Sequence, residues 1–580
     1  VTNPAPSAAA GRVAGAAALI AVLTVVSRLA GFGRTAVFTW TLAPTDLGGT
    51  YVVANAAPNV IFEMVAGGAL ASLVVPLLAA PVAAADRGAA ADRGAVADRG
   101  AVARTTGALL TWVLALLVPL ALAVALLAGP IVGLLGGGLD PAQQASGERM
   151  LRVFAPQLPL YGVGIVLTGV LQAHRRFAWP VIAPLLSSLT VIAVYLGFTV
   201  AEGRLASVAG VSRGGELLLS WGTTAGVAVL SLSLLIPFRR LGYAPVFGFR
   251  FPADARARVR GLAVAGAVTV TAQQVALVVS LNQVSYGAVS NLGAFQLAQT
   301  VYLLPWAVLA VPLAVAAYPS LAAAGSVGDE AAYRATLAPA ARGVLLLSCL
   351  GAAVLVGTAV PVGYFFLVGD AAATAAAGIA GFAPGLVGYG LFAVLSRALY
   401  ARGQARAAAG AIAVGFLVVP AAVLLFSAVL PLRDRVPAVT LANSVGMVAL
   451  GALLVLAVRR TAGATALAGF GRAGAAGLTG GGLAALVGWA VARSLLAATD
   501  GTPSAPVALV QGMLSGVVVG VVFLAVVWVL DRPDVRPLLV GALRRLGLTR
   551  GRRSPNPGCG QRKDDGVPPE RGDGKETVSR

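Results

Sequence analysis

Fourteen separate apolar stretches, each longer than twenty residues, constrain this chain more than any other feature. They lie near 14–40, 49–80, 106–137, 150–173, 180–200, 216–238, 261–282, 290–323, 341–367, 374–396, 404–430, 437–458, 470–496 and 505–530. An α-helix rises about 1.5 Å per residue, so roughly 20 mainly apolar residues cross a hydrocarbon core ~30 Å thick. The pattern predicts an all-α polytopic membrane protein with 14 transmembrane helices, the longer runs tilting, kinking or extending into the interface. A soluble enzyme or binding module is excluded by composition. The chain is 58% hydrophobic and 11% charged, whereas soluble chains carry about 25% charged residues.

The net charge of +20 would ordinarily suggest nucleic acid, but the basic residues are sorted by membrane side instead. With the N-terminus cytoplasmic, 33 of the 42 fall in inward stretches and seven in outward ones. The other two, Arg28 and Arg34, sit within the first span. That bias fits the positive-inside rule and predicts a multi-pass protein of the cytoplasmic membrane with both termini inside. The first run leads straight into further spans, so no cleavable signal peptide is expected. Residues 85–102 repeat ADRGA with a period of six and read as a solvated cytoplasmic linker. Cys349 and Cys559 offer no disulfide framework.

An internal match organises the runs. Residues 154–177 (FAPQLPLYGVGIVLTGVLQAHRRF) and 382–405 (FAPGLVGYGLFAVLSRALYARGQA) align without gaps and share ten of 24 positions. They are the fourth and tenth runs. A looser, gapped echo joins the second run to the eighth, around Pro58 and Pro305. Six helices apart means the same direction through the membrane, the parallel-repeat arrangement of many secondary transporters. The expected organisation is an N-lobe over 1–238, a basic cytoplasmic linker over 239–260 and a C-lobe over 261–460. Helices thirteen and fourteen follow within 461–530, and a disordered basic tail covers 531–580.

Polar groups within the spans are few. Charge at mid-membrane costs about 2.5–3.5 kcal/mol on insertion scales, so it normally faces a cavity. Arg28, Arg34 and Glu63 are the charged groups well inside the first two runs. Two guanidinium forks would suit an anionic substrate, since Arg binds phosphate oxygens bidentately. The plain alternative is a snorkelling Arg34 and an Arg28 neutralised by Glu63. Gln274 in the seventh run and Gln299 in the eighth line the opposite lobe or else serve interhelical hydrogen bonding. Gly31, Gly33, Pro58 and Pro305 are candidate hinges. His174, the only histidine, reads as an interface residue. No HExxH, GxSxG or P-loop is present, so no enzymatic chemistry and no metal or organic cofactor is expected.

The stretch Ser27-Arg28-Leu-Ala-Gly31-Phe32-Gly33-Arg34, then Ala57-Pro58-Asn59, then Ala66-Gly67-Gly68-Ala69 through Val75-Pro76, resembles the MurJ/MviN family of lipid II flippases in the MOP exporter superfamily. Leu304-Pro305 to Tyr318-Pro319-Ser320-Leu321 and Arg397-Ala-Leu-Tyr400-Ala401 resemble the family's eighth and tenth helices. The resemblance implies alternating access, driven by membrane potential or an ion gradient. It implies a central cationic cavity for the disaccharide-pentapeptide diphosphate headgroup and a lipid-tail groove at helices thirteen and fourteen. Arg28 and Arg34 match two cavity arginines, and Ser27, Asn59, Glu63, Gln274 and Gln299 join them as candidate substrate-binding residues. Membrane lipids and cell-wall synthesis or division proteins would be the partners. Departures are Thr35 for the family's Asp, Phe62-Glu63 for Arg-Arg, Gly67 for Glu and Gln299-Thr300 for Asp-Arg. They leave a less cationic cavity, so export of another lipid-linked polysaccharide or of a drug, or a non-transporting role, stays open.

Overall fold

The computed structural model describes residues 7–67, 95–249 and 253–533, with Val74, Leu77, Leu78 and Val82 between them. Every regular element among these residues is helical. The first part holds α1 (Ser7–Thr41), α2 (Asp46–Phe62) running on into a π-helical turn (Glu63–Gly67), α3 (Ala95–Leu126), α4 (Ala128–Leu135), α5 (Pro141–Phe154), α6 (Gln157–Ala173), α7 (Ala178–Glu202), α8 (Arg213–Leu232) and the short α9 (Leu235–Arg239). Next come α10 (Ala253–Ser285), α11 (Asn291–Pro305) with a second π-helical turn (Trp306–Ala310), α12 (Val311–Val327) and α13 (Glu330–Phe366). The chain continues through α14 (Gly369–Phe382), α15 (Gly385–Ala401), α16 (Ala405–Val429), α17 (Arg435–Ala462), α18 (Phe470–Ala497) and α19 (Ala505–Leu530).

Among the described residues, eleven helical segments are long and apolar enough to cross a membrane. A twelfth forms if α14 and α15, bent by 46° at their junction, count as one. These segments overlap the third to fourteenth predicted runs. The first run lies within α1, and the second begins in α2 and leaves the described residues after Gly67.

Parts of the predicted linkers take regular positions against the bundle. From Ala95 onward the ADRGA repeat is the first part of α3, because alanine and arginine are strong helix formers and the apolar span propagates the helix backward. Part of the basic linker 239–260 lies along α3. The Val246 N–H donates to the Ala103 carbonyl at 3.0 Å, and the Gly248 N–H to Thr111 Oγ1 at 3.1 Å. Trp112 Nε1 donates to the Phe249 carbonyl at 3.0 Å. Asp531, placed at the start of the tail, is instead buried and pairs with Arg472 at 2.8 Å, tying the end of α19 to α18. The tail from 534 lies outside the described residues.

Of the candidate hinges, Gly31 and Gly33 leave α1 unbroken. Nothing packs within 4 Å of the space a Cβ would fill at either glycine, so no neighbour forces a bend. Pro58 is likewise accommodated inside α2. Pro305 closes α11, and the π turn that follows ends just before Pro312. Pro312 has no N–H for the Val308 carbonyl and its ring would crowd that oxygen. A π turn at this point relieves both constraints.

The two self-matching segments fold alike. Each breaks at its Phe-Ala-Pro, after a 14-residue helix and before a 17-residue one. Their far ends close with equivalent backbone bonds, Arg176 N–H to the Leu171 carbonyl at 2.8 Å and Gln404 N–H to the Leu399 carbonyl at 2.9 Å. The turns pass through Arg175 and Gly403 in the left-handed region, at φ 57° and 70°. Neighbours correspond as well. Helix α1 packs on α7 as α10 does on α16, α2 on α5 as α11 on α14, and α3 on α6 as α13 on α15. Ring contacts set a definite register between α2 and α11. Tyr51 meets Phe154 where Phe295 meets Phe382, and Phe62 meets Tyr161 where Trp306 meets Tyr389. Tyr51 and Phe295 are 244 residues apart, as are Phe62 and Trp306, whereas Pro58 and Pro305 are 247 apart. The gapped echo built on those prolines is therefore displaced by about one helical turn, and Asn55 is the residue that corresponds to Gln299.

Helices α15 and α17 cross closely at Gly388 and Gly451. A Cβ at Gly451 would lie 2.8 Å from the Gly388 Cα, and one at Gly388 would overlap the Met447 carbonyl oxygen. Gly388→Val is expected to destabilise the protein by about 2–3 kcal/mol, read as a lower thermal unfolding midpoint in detergent. Gly482→Ala on α18, where a Cβ meets nothing within 4 Å, is expected to leave the midpoint unchanged or raise it.

Candidate functional site

Where α1, α2, α7 and α8 face α10 and α11, the helices enclose a polar cavity of about 320 Å³. Helix α1 contributes Arg34, Thr35 and Phe38, α2 contributes Asn55 and Asn59, and α11 contributes Gln296 and Gln299. Tyr161, Ser187, Tyr195 and Thr223 complete the polar wall, and Leu277 and Leu281 of α10 supply apolar surface. Arg34 is the one charged residue among those lining it. The Tyr51 hydroxyl lies 2.9 Å from both the Tyr195 hydroxyl and Thr223 Oγ1. Thr223 in turn donates to the Leu219 carbonyl at 2.7 Å. This network joins α2, α7 and α8, and the rings of Tyr51, Tyr195 and Phe38 pack within it. Beside it, Tyr161 donates to Gln157 Oε1 at 3.3 Å, and Gln157 Nε2 donates to Thr224 Oγ1 at 3.1 Å.

Next to the cavity, close contacts join the two sets of helices. The Gly138 N–H donates to Ser285 Oγ at 2.9 Å, and Asn282 Nδ2 donates to the Leu134 carbonyl at 2.8 Å. At Gly293 the α11 backbone comes so close to the α1–α2 turn that a Cβ would overlap the Ala43 carbonyl oxygen.

The structure gathers some predicted residues and separates others. Arg34, Asn59 and Gln299 line the central cavity. Arg28 does not. Six residues earlier on a continuous helix, it lies about 120° around from Arg34, exposed beside Val25 and Leu29, which are themselves 58% and 62% exposed. Ser27 is half-buried on α1 and does not line the cavity. Gln274 is half-buried on α10, its Oε1 without a hydrogen-bond partner and outside the cavity wall. Glu63 lines a second cavity of about 210 Å³, which shares Asn59 and Tyr161 with the first. Among the described residues no ion pair joins Glu63 to Arg28. His174 caps the end of α6, its Nδ1 2.9 Å from the Val170 carbonyl and its ring stacked on Tyr243.

Sequence reasoning missed Tyr51, Tyr195, Ser187 and Thr223. Each is an isolated polar or aromatic residue in an apolar run, indistinguishable there from core packing. The signal that existed was the matched pair Tyr161/Tyr389 in the internal repeat.

A helical bundle with a polar cavity walled by helices from both of its parts has the architecture of a membrane transporter. The chain belongs to the family described as lipid II flippase MurJ, whose profile matches residues 41–498. A lipid II flippase MurJ from Burkholderia cenocepacia is 24% identical over 412 residues, 68% of this chain and 74% of that protein. A probable lipid II flippase MurJ from Rhizobium meliloti is 27% identical over 305 residues, 52% of this chain and 53% of that one. Another from Synechocystis is 34% identical over 131 residues, 22% of this chain and 24% of that one. The match thus spans about three quarters of the first relative, about half of the second and about a quarter of the third. Among solved structures, a lipid II flippase MurJ in an inward closed conformation superposes with a TM-score of 0.67 at 17% identity, covering 90% of this chain and 99% of that one. An inward-facing multidrug resistance MATE family transporter of the MOP superfamily superposes at 0.56 with 14% identity, covering 76% and 98%. These likenesses establish a shared fold.

The Tyr51 hydroxyl joins two partners in a buried setting, so Tyr51→Phe is expected to cost about 1–2 kcal/mol. Tyr195→Phe is expected to cost less, because Tyr51 keeps Thr223. Chemical unfolding of the two variants in detergent measures the difference.

Proposed function

We propose that this protein is a flippase that moves a polyprenyl-diphosphate-linked peptidoglycan precursor, lipid II, from the inner to the outer leaflet by alternating access. The observation that carries this reading is Arg34, placed alone among amides and hydroxyls in the central cavity of a MurJ-family bundle. Hydroxyl and amide groups suit the hydroxyls of a glycan, and a guanidinium suits a diphosphate. Asn59 and Gln299 are then headgroup contacts on opposite walls. Arg28, on another face of α1, acts at the membrane-facing entrance to the site and not within it.

The moving parts in this reading are two six-helix lobes related by a two-fold axis along the membrane normal. The matched helix lengths, breaks and neighbour relations of α5–α6 and α14–α15 support that relation. Helices α1 and α2 complete a set of fourteen spans, and the distribution of basic residues supports cytoplasmic termini. Helices α18 and α19, which pack on α13, supply the surface that keeps the polyprenyl tail in lipid. Membrane potential or an ion gradient drives the cycle, and cell-wall synthesis or division proteins take up the product. A second reading, export of another lipid-linked polysaccharide, is favoured by one feature, the single arginine in a cavity otherwise lined by neutral groups.

In a bacterium depleted of its own flippase, the chain is expected to restore outer-leaflet lipid II, read with an external probe. Arg34→Ala removes a charge-assisted contact worth about 1.5–3 kcal/mol and should lower that signal roughly ten- to hundredfold. Restoration with full activity in Arg34→Ala would sink the diphosphate role. No restoration despite membrane insertion would favour the other polysaccharide.

A further inference from the structure

The second cavity carries chemistry that an anion site does not explain. Glu63 opens the π-helical turn at the end of α2. It lines a pocket of about 210 Å³ together with Phe62, Tyr161 and Asn59. The Phe62 and Tyr161 rings lie 5.5 Å apart at 40°, forming one aromatic wall. Thr168 and Ser231 aside, the remaining surface is glycine, alanine, proline and aliphatic side chains of α6, α7 and the α8 end. Among the described residues no basic side chain lines the pocket, and the Glu63 carboxylate forms no ion pair and no hydrogen bond. Ser231 adds a polar group to this wall. It is fully buried, its Oγ has no partner, and it lies against Gly164 of the same pocket, where a Cβ would approach that oxygen to 2.8 Å.

An uncompensated carboxylate inside a membrane bundle is costly and marks a site that receives a cation. The size and the mostly apolar wall argue against a bare metal ion, which needs several converging oxygens. They fit a ligand with an apolar body and a diffuse positive charge, held by the carboxylate and by the faces of two aromatic rings. We propose that this pocket binds lipophilic organic cations of the quaternary ammonium or phosphonium class, with Glu63 as the charge-selecting residue. The assignment goes beyond the flippase reading and does not depend on it. Because Asn59 and Tyr161 wall both cavities, an occupant here also touches the wall of the central one.

The test is equilibrium binding of radiolabelled tetraphenylphosphonium to the purified full chain in detergent, with empty micelles subtracted. Saturable one-to-one binding is expected, displaced by benzyltrimethylammonium but not by neopentylbenzene, its uncharged isostere. Glu63→Gln, nearly isosteric, is expected to weaken binding roughly tenfold or more, and Phe62→Ala by a smaller factor. Equal displacement by the two isosteres in the unaltered protein would show an apolar pocket without charge selection and overturn the proposal. So would non-saturable binding, or binding unchanged in Glu63→Gln. The isostere comparison needs no variant, so the outcome stands even if a substitution impairs folding.

Discussion

Helices in a bilayer gain little from burying apolar surface against one another, because lipid tails are as apolar as the side chains they replace. Association rests on close van der Waals approach and on a few interhelical hydrogen bonds. That constraint accounts for the 72 glycines of this chain better than loop flexibility does. Where α15 crosses α17, Gly388 lies against the Met447 backbone and Gly451 against Gly388. The self-matching glycines Gly162 and Gly390 do comparable work, leaving room for Leu117 and Val113 in one case and for Ser348 in the other. Most residues shared by the two segments are likewise buried, Leu158/Leu386 and Val166/Val394 to 1% exposure or less. The internal match is thus chiefly a record of how helices touch.

The same constraint explains which parts of the architecture were legible. Span length is set by the bilayer and survives any change of packing, so the third to fourteenth apolar runs mapped onto the helices found. The Phe-Ala-Pro breaks were not foreseen, because runs 150–173 and 374–396 read as continuous, although proline withdraws a backbone donor wherever it stands. Nor was the register of α2 against α11. Matching Pro58 to Pro305 assumed that the kink is what the two helices share, whereas ring contacts to Phe154, Phe382, Tyr161 and Tyr389 set the register one turn away. A similar limit applied to the linkers, since the polar ADRGA sequence reads as solvated although its alanine and arginine content extends α3 backward.

The candidate site was only half legible for a geometric reason. Arg28 and Arg34 belong to one motif in the sequence, and a motif says nothing about azimuth. An unbroken α1 turns them about 120° apart, so one guanidinium enters the cavity while the other stays with the exposed Val25 and Leu29. Had the helix broken at Gly31 and Gly33, the two could have converged. The tyrosines were hidden by a different ambiguity. In an apolar run a tyrosine is equally a core ring and a hydroxyl carrier, and only the meeting of α2, α7 and α8 makes Tyr51, Tyr195 and Thr223 a network.

The two cavities differ in sign, and their shared wall makes that difference consequential. One presents a guanidinium among neutral donors and acceptors, the other a carboxylate among aromatic and aliphatic surfaces, with Asn59 and Tyr161 between them. Opposite charges this close do not pair in the structure, because Arg34 and Glu63 occupy separate chambers divided by an amide and a phenol. Each therefore keeps its charge for a ligand, and an anion held in one chamber draws a cation into the other. A diphosphate near Arg34 and a cation near Glu63 would neutralise the pair together at lower electrostatic cost than either alone.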